Sequence, residues 1–474
     1  MSPKALDRLF RLALVPLTAA VLVATGCSSS STTTTQTQPQ MGPAFAIGTD
    51  APMASVVSFQ VQLESVELTA SDGTTTSSLI SGTPTVDFAR FNGLQTLLDM
   101  NDVPADDYTS VTITLGGGTI GYLDTSVTPP TIQTMTANFS SPKVTATLTN
   151  SLNIIHGGNP AGLRIDFDLA KSIQVDGSGN ITGAVNPTFH VTGVKNSDNG
   201  GYIDELVAGV LSVGSQSFVV QGPHGEQFTI DVSGTTVWDG GASLSTLSPG
   251  SIVAVSGKID PADQTLDADV VDLLTDTGFY ASGQITYVTP ASGAATSFDL
   301  YVRGLEPTNT GLTLGQLATV DLTGNENYYI YWMSNTLTDF LFNSSSLVAG
   351  QAVTVGGPAT GAANASDVTV DRIHLHNWGF NGTIVPGSED PANSTFQMQV
   401  KGFAGVLIPE TITVYYGPIC DFRYGLGAFS DLTDNASIRV VGLLLKDSQT
   451  GNVVLIARYI DGLDFTNFTT TAAQ

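Results

Sequence analysis

The chain has 474 residues, of which only 12% are charged, and a chain this long has room for about three or four domains of ordinary size. Its formal net charge of −26 at pH 7 repels the phosphates of nucleic acid and of anionic lipids, which argues against nucleic-acid binding. Of the two cysteines, one is assigned to lipid attachment below, and the remaining thiol cannot form an intramolecular disulfide, so core packing must stabilise the fold.

The N-terminal segment has the layout of a secretory signal peptide. Lys4, Arg8 and Arg11 form a basic segment, residues 12–23 form an apolar segment too short to span a bilayer, and small residues then lead to Cys27. This arrangement resembles the lipobox of bacterial lipoproteins, in which a peptidase cleaves before the cysteine. The resemblance implies that lipid, palmitate included, anchors the Cys27 thiol in a membrane. An ordinary signal peptide with an incidental cysteine is the alternative.

The predicted anchor and the segment after it define a location. Removal of residues 1–27 takes away three of the 16 basic residues and one of the 42 acidic ones, which leaves 13 against 41 and a net charge of −28. Residues 28–42 are rich in serine, threonine and glutamine, which predicts a disordered tether. Because Ser28 follows the cysteine, we expect delivery to an outer membrane. The predicted location is therefore the cell envelope, with the lipid as the membrane contact.

After the tether, the sequence consists of short apolar stretches separated by turn residues. Residues 57–63 and 111–115 alternate between apolar and polar side chains with a period of two, which predicts half-buried strands. Helical periodicity is nearly confined to residues 91–100, where we expect a short helix across one end of a sheet. This region is therefore predicted to be an all-β domain.

Three motifs in this region resemble a family of domains of unknown function from the N-termini of bacterial lipoproteins. They are Gly-Thr-Asp-Ala-Pro at residues 48–52, Val-Pro-Ala-Asp-Asp-Tyr at 103–108, and Leu-Arg-Ile-Asp-Phe-Asp-Leu at 163–169. The resemblance extends over about residues 43–195. It implies an immunoglobulin-like β-sandwich and no known activity.

A strand pattern then recurs three times. Gly-x-x-Val-x-Val-x-Gly occupies residues 250–257 and 350–357, and Asn-x-x-Ile-x-Val-x-Gly occupies 435–442. Each copy belongs to a unit of five predicted strands with glycines at the strand corners, which favours a small closed barrel of the oligonucleotide/oligosaccharide-binding (OB) type. The units also resemble a second uncharacterised bacterial family of tandem small barrels.

The predicted fold class is all-β, with an N-terminal immunoglobulin-like sandwich followed by three five-stranded OB-like barrels. The predicted boundaries are 1–27 for the signal peptide, 28–42 for the tether, 43–200 for the sandwich, 203–276, 279–376 and 377–464 for the barrels, and 465–474 for a disordered tail. Because a closed barrel satisfies its own backbone hydrogen bonds, we expect a string of independently folded domains.

Motifs of common catalytic sites are missing from the sequence. There is no Gly-x-Ser-x-Gly, His-Glu-x-x-His, Walker or Cys-x-x-Cys motif. The favoured hypothesis is a non-enzymatic envelope protein whose barrels bind a glycan, a peptide or another envelope component. The alternative is a secreted hydrolase that uses Asp166 and Asp168, which lie two apart on a predicted strand and so share a face.

Two groups of side chains are candidate binding sites. Tyr329, Tyr331 and Trp378 are candidate platforms for a sugar ring, although aromatic residues are also common strand formers. A second group of acidic residues surrounds a predicted hairpin: Asp260, Asp263, Asp267 and Asp269. A hard cation such as calcium would suit these oxygen ligands, and a solvated turn accounts for the same pattern. No other cofactor is predicted.

Two histidines lie on one face of a predicted strand. His374 and His376 are two residues apart, the spacing that a zinc site on a strand would need. No third ligand can be identified in the sequence, so exposed strand histidines are the favoured interpretation.

Overall fold

Residues 40–474 form one compact unit in the computed structural model. The residues outside the description are 1–39, 52–55, 91–95, 125, 159–160, 178–179, 196–201, 222–226, 261–264, 276–277, 307–310, 331–339, 341, 359–366, 401–407, 410, 424, 463–469 and 473–474. Cys27 and the predicted signal peptide therefore lie outside the described residues. No helix within the described ranges has the length and apolar character needed to span a membrane.

Residues 41–195 form a β-sandwich. Its elements are β1 (Met41–Ala51), β2 (Val56–Ala70), β3 (Thr85–Asp87), β4 (Thr96–Pro104), β5 (Asp106–Asp124), β6 (Thr131–Thr136), β7 (Asn138–Phe139), β8 (Lys143–Ile154), β9 (Ala161–Asp168), α1 (Leu169–Ser172), β10 (Ile173–Val175), β11 (Ile181–Val185) and β12 (Phe189–Lys195). One sheet has the order β12-β9-β1-β4 and the other β3-β2-β5-β8, with β6 on β5 and a small sheet β10-β11-β7. Phe59 and Phe167 meet in their common core with ring centroids 5.0 Å apart. The predicted sandwich is confirmed.

The helix expected at residues 91–100 is wrong over the part that the structure describes. Residues 96–100 belong to β4, which pairs antiparallel with β1 and places Met100 opposite Phe45. The apolar residues at 97, 98 and 100 suit a strand as well as a helix. Pairing with β1, a strand from much earlier in the chain, makes these residues form a strand.

The remaining strands form three repeats. They are β13 (Tyr202–Val213), β14 (Ser217–Gln221), β15 (Gln227–Asp231), β16 (Val237–Asp239), β17 (Ile252–Asp260), β18 (Thr265–Thr275), β19 (Phe279–Thr289), β20 (Ser297–Glu306), β21 (Leu317–Asp321), β22 (Asn327–Ile330), β23 (Ala352–Gly357), β24 (Asp367–Thr369), β25 (Arg372–His376), β26 (Trp378–Ile384), β27 (Thr395–Val400), β28 (Thr411–Arg423), β29 (Ser437–Lys446), β30 (Val453–Gly462) and β31 (Thr470–Ala472). We refer to β13–β18 as the first barrel, β19–β25 as the second and β26–β30 as the third.

The three repeats share one topology. The third barrel closes in the order β26-β27-β28-β30-β29, and the first closes in the matching order through parallel pairing of β15 with β18. In the second, the last strand is split into β24, which pairs parallel with β21, and β25, which pairs antiparallel with β23. An order in which the third strand pairs parallel with the last is the OB arrangement, so the predicted OB-like barrels are confirmed.

The repeated motif has a physical basis at both ends. A Cβ at the closing position would collide with the backbone of the last barrel strand, at Asp267 O for Gly257 and at Ile456 O for Gly442. The opening position takes a left-handed backbone, with φ of 96° at Gly250 and 62° at Asn435. Asparagine tolerates this conformation better than most residues, which explains how it replaces glycine in the third copy.

The sequence predicted a string of independently folded domains, and this expectation is wrong, because the four domains form one compact unit. Phe45 of the sandwich lies in the core of the first barrel. Leu443 and Leu445 of the third barrel extend the core of the second, and Tyr301 of the second barrel packs on Val57 and Leu123 of the sandwich. The first and third barrels close their own sheets, and each of the three barrels also shares apolar contacts with a neighbouring domain.

The predicted disordered tail is wrong at its described residues. Thr470–Ala472 form β31, which pairs antiparallel with Val144–Ala146 of β8. A sheet edge offers unpaired backbone groups, and the tail supplies a partner for them.

Candidate functional site

The most unusual feature of the described residues is a group of buried charges where the sandwich meets the first and third barrels. It contains Arg164 and Asp166 of β9, Asp204 of β13, Arg423 of β28, Arg439 of β29, and Arg458 and Asp461 of β30. We call this set the junction cluster. Because charges are costly to bury unless they are paired, its contacts determine what it can do.

The third barrel supplies the best-defined ion pair of the cluster. Arg423 Nε donates to Asp461 Oδ1 at 2.8 Å and Arg423 Nη2 donates to Asp461 Oδ2 at 3.3 Å. The Arg423 guanidinium also lies 3.8 Å from the ring centroid of Tyr459. Burial lowers the pKa of Arg423, but the charge and hydrogen bonds of Asp461 and the charge of Asp204 outweigh it and raise the pKa above its ordinary value.

Arg164 and Arg439 connect the third barrel to the sandwich. Arg439 Nη2 donates to Asp166 Oδ2 at 3.3 Å. Burial lowers the pKa of Arg164 to about 10, although the charges of Asp166 and Asp461 act in the opposite direction. Like-charge repulsion from Arg439 and Arg423 contributes to this lower pKa. The cluster is therefore a compact set of alternating charges from separate domains.

Asp166 and Asp168, the two carboxylates of the alternative hydrolase, both contact other side chains of this chain. Asp166 binds Arg439, as described above. Asp168 is 4% exposed, lies 3.1 Å from Lys171 Nζ and 3.2 Å from His190 Nε2, and accepts the Lys171 backbone N–H at the start of α1. Burial raises the pKa of Asp168, but the hydrogen bond from His190 and the charge and hydrogen bonds of Lys171 lower it below its ordinary value. These contacts favour two fixed carboxylates, rather than an acid and base open to substrate.

The two histidines of β25 are buried, contrary to the expectation that they are exposed. His374 Nδ1 lies 3.0 Å from Asp272 Oδ2, and His376 Nδ1 lies 3.1 Å from Glu205 Oε1. Both acids belong to the first barrel, so the histidines join the second barrel to the first. The first barrel buries both histidines, and the sequence around them does not indicate this contact.

The electrostatics of His376 reflect this burial. Burial alone lowers its pKa, while the charge of Glu205, its hydrogen bond and the charge of Asp272 raise it, and the net direction is upward. Among the described residues, no group of three or more His, Cys, Asp or Glu side chains is arranged to hold a metal ion. The pair is therefore best described as an electrostatic contact between domains.

The two candidate aromatic platforms that the structure describes, Tyr329 and Trp378, each contact another side chain of this chain. Tyr329 is half-buried and stacks on the His374 ring at a centroid distance of 4.7 Å. Trp378 is 9% exposed, and the Arg303 guanidinium lies 4.5 Å from its ring centroid. Tyr331 lies outside the described residues. Tyr329 and Trp378 thus contact other side chains of this chain, which leaves little ring surface for a ligand.

Three of the four acidic candidates are described, and they lie on the first barrel close to a further aspartate, Asp231, that the sequence did not suggest. Asp260 ends β17, Asp267 and Asp269 lie on β18, and Asp263 is outside the described ranges. Partial burial and the charges of Asp260, Asp231 and Asp269 raise the pKa of Asp267, and Lys258 acts against them. Asp231 joins the group because β15 pairs parallel with β18.

Family models match two parts of the chain. Residues 47–182 match DUF4382 and residues 206–272 match DUF5666, and both are described as domains of unknown function. The sandwich and the first barrel thus each resemble an uncharacterised family, as their sequences indicated. No curated protein matches the chain.

Two solved structures show a limited likeness to the chain. Drosophila Unr CSD456 is 10% identical with a TM-score of 0.14, over 55% of this chain and 98% of that chain. A multidomain protein with nucleic acid binding domains from Streptococcus pneumoniae TIGR4 is 12% identical with a TM-score of 0.11, over 53% and 72%. TM-scores this low support no inference about this chain.

The junction cluster predicts a large effect for a small change at Asp461. The Asp461→Asn variant removes the carboxylate that accepts two hydrogen bonds from Arg423 and so takes away one negative charge from among the buried guanidinium groups, and we expect a loss of about 3–5 kcal/mol in the free energy of unfolding. Urea unfolding measures it. Asp421 is exposed on the same barrel, and Asp421→Asn should stay within about 0.5 kcal/mol of the wild type. Equal effects of the two variants would contradict the buried-pair assignment.

The raised pKa of His376 predicts that stability falls as the pH rises. The folded chain binds the His376 proton more tightly than the unfolded chain does, so the contribution is complete below the ordinary pKa of 6.5 and is lost as the pH rises through the higher folded value. Urea unfolding from about pH 6 to pH 9 should show this loss. His376→Gln should remove it, whereas His156→Gln, at an exposed site, should keep it. A His376→Gln profile parallel to that of the wild type would count against the contact.

Proposed function

We propose that this chain is a lipid-anchored protein of the cell envelope that acts by binding and has no catalytic activity. The proposed ligand is a glycan, a peptide or a neighbouring envelope component, and the proposed location is an outer membrane. Lipid on Cys27 is the proposed membrane contact, because the N-terminal segment has the lipobox layout. Nucleic acid is not a proposed partner, since the chain without residues 1–27 has 13 basic residues against 41 acidic ones, a net charge of −28.

The observation that carries the proposal is that buried titratable side chains contact other side chains of this chain. Asp166, Asp168 and His374 each contact an oppositely charged or hydrogen-bonding side chain within the folded body. Catalytic acids and bases must reach a substrate, whereas these groups hold domains or a helix start in place. Closed OB-like barrels supply rigid outer faces and loops, which are the parts of this fold that bind polymers.

The anchor predicts lipid incorporation at one residue. Cells that express the full chain and are fed a palmitate analogue should label it, because the lipobox cysteine accepts acyl chains. Cys27→Ala should abolish the label, and Cys420→Ala should leave it unchanged. Labelling that survives Cys27→Ala would refute the anchor, as would absence of labelling in the wild type.

The binding function predicts ligand capture without turnover. A chain that begins at residue 41 should be retained by members of a glycan or peptide array and should release no product from them. Hydrolysis of an array member that is abolished by Asp166→Asn, with the fold intact by circular dichroism, would establish the hydrolase instead. Asp99→Asn, outside the junction cluster, is the matched control for that variant.

A further inference from the structure

One end of the sandwich carries two exposed apolar side chains. Three segments meet there: the start of β1 at Met41, the turn between β4 and β5, and the loop of residues 155–158 after β8. Pro104 of β4 lies opposite Met41, and Asp106 of β5 lies opposite Ile154. We call this the tether end, because the predicted tether joins the folded body at β1.

The apolar side chains at the tether end belong to neighbouring backbone segments. Met41 is 40% exposed, and Ile155 is 59% exposed, the largest exposed fraction among the large apolar side chains that the structure describes. His156 Nδ1 donates a hydrogen bond to the Met41 carbonyl oxygen at 2.7 Å. A Cβ on Gly42 would lie 2.8 Å from the Ile155 carbonyl oxygen, so the loop packs directly on the backbone of β1. We call Met41 and Ile155 the apolar tip.

The position of the apolar tip, rather than its size, is unusual. Single exposed apolar side chains are common on folded proteins. Here the chain enters the folded body directly before Met41, and the Ala105 backbone N–H donates to the Gln40 carbonyl oxygen at 2.8 Å, which fixes the point of entry. The predicted lipid attachment residue, Cys27, is 13 residues before Gln40, and a segment of that length reaches at most about 45 Å. A lipid on Cys27 therefore keeps the apolar tip close to the membrane.

The opposite end of the sandwich is not held in this way. β5 extends from Asp106 at the tether end to Asp124 at the far end, and its 19 residues span up to about 60 Å at the rise of a strand. Tyr301 of the second barrel packs on Leu123 at the far end, and Val127, in the loop after β5, is 46% exposed. The tether thus limits the distance of one end from the lipid and leaves the other end free to stand away from it.

Charged side chains at the tether end select the class of lipid. Asp102, Asp106 and Asp107 are exposed, and Asp102 lies opposite Pro43, near the start of β1. Anionic headgroups would be repelled by these carboxylates and by the net charge of the chain. Zwitterionic headgroups carry no net charge, so the burial of apolar side chains among them is not opposed by this repulsion. The apolar tip therefore suits a zwitterionic surface.

We propose that the tether end of the sandwich rests on a zwitterionic lipid surface, with Ile155 and Met41 inserted among the headgroups. This inference rests on the proposed lipid anchor at Cys27 and specifies how the folded body meets the membrane. Two apolar side chains bind a bilayer weakly on their own, but the anchor makes the contact intramolecular and gives it a high effective concentration. The far end, where the second barrel packs on Leu123, then points away from the lipid.

The test measures the depth of nitroxide labels on the lipidated full chain in phosphatidylcholine vesicles. A Cys420→Ala background and the lipid on Cys27 leave an introduced cysteine as the single reactive thiol. Ile155→Cys places the label on the apolar tip, and Val127→Cys, at another exposed apolar residue, is the control. The depth is the ratio of the collision rate with O2, which concentrates in the bilayer, to that with a water-soluble nickel chelate. We expect this ratio to be higher at residue 155 by a factor of about ten or more.

A charge inserted at the apolar tip should remove the contact. With the label at Met41→Cys, Ile155→Asp should lower the ratio to the value of the control, because a carboxylate is costly to bury in lipid. Val127→Asp makes the same change at the far end and should leave the ratio at residue 41 unchanged. Both substitutions are at exposed sites, and circular dichroism checks that the fold is intact. Replacement of phosphatidylcholine by anionic phosphatidylglycerol should also lower the ratio at residue 155.

The outcomes separate this inference from the proposed function. Two labels per chain in the Ile155→Cys variant, counted by mass spectrometry, would show that Cys27 carries no lipid and would overturn the anchor together with this inference. One label per chain, with equal ratios at residues 155 and 127, would overturn the contact and leave the anchor in place, as would a ratio at residue 41 that Ile155→Asp leaves unchanged. A ratio at residue 155 that phosphatidylglycerol raises would overturn the lipid class alone.

Discussion

Ion pairs buried between domains are the constraint on which the rest of this structure depends. The chain has 16 lysine and arginine residues in all, and four of the arginines meet in the junction cluster. A surface ion pair contributes about 0–1 kcal/mol, whereas removal of one partner of a buried pair costs about 3–5 kcal/mol. The pair of Arg423 and Asp461 lies within the third barrel, whereas Arg439 of that barrel binds Asp166 of the sandwich, and His374 of the second barrel contacts Asp272 of the first. Contacts of the second kind, together with the apolar cores that domains share, explain how the domains form one compact unit.

Local signals were sufficient to predict the fold class, although not the packing of the domains into one compact unit. Alternation with a period of two reports one buried face, and the repeated glycines report close approach of barrel strands, as at Gly257 and Gly442. The helix expected at residues 91–100 failed because a short apolar run fits both periods, and a distant strand decides between them. Barrel formation likewise depends on residues far apart, yet five predicted strands in each repeat, with glycines at the strand corners, indicated it. The parallel pairing of the third and last strands was not predicted.

The contacts of the candidate residues could not be predicted, because adjoining domains determine them. His374 was expected to be exposed, and the first barrel buries it against Asp272. Trp378 was a candidate platform, and Arg303 covers its ring. A signal was nevertheless present for the junction cluster, since Arg164, Arg439 and Arg458 each interrupt an apolar strand in a chain with few cations. A charged residue inside such a strand needs a partner, although the sequence does not identify it.

The face of the second barrel that packs on the sandwich has a consequence for how alike the three barrels are. They share one topology, but Tyr301 of the second barrel lies under the sandwich, and the first barrel carries an acidic group around Asp267. Copies of one fold therefore differ in the chemistry of the surface that they expose, because the side chains and the neighbouring domain, rather than the topology, determine that surface.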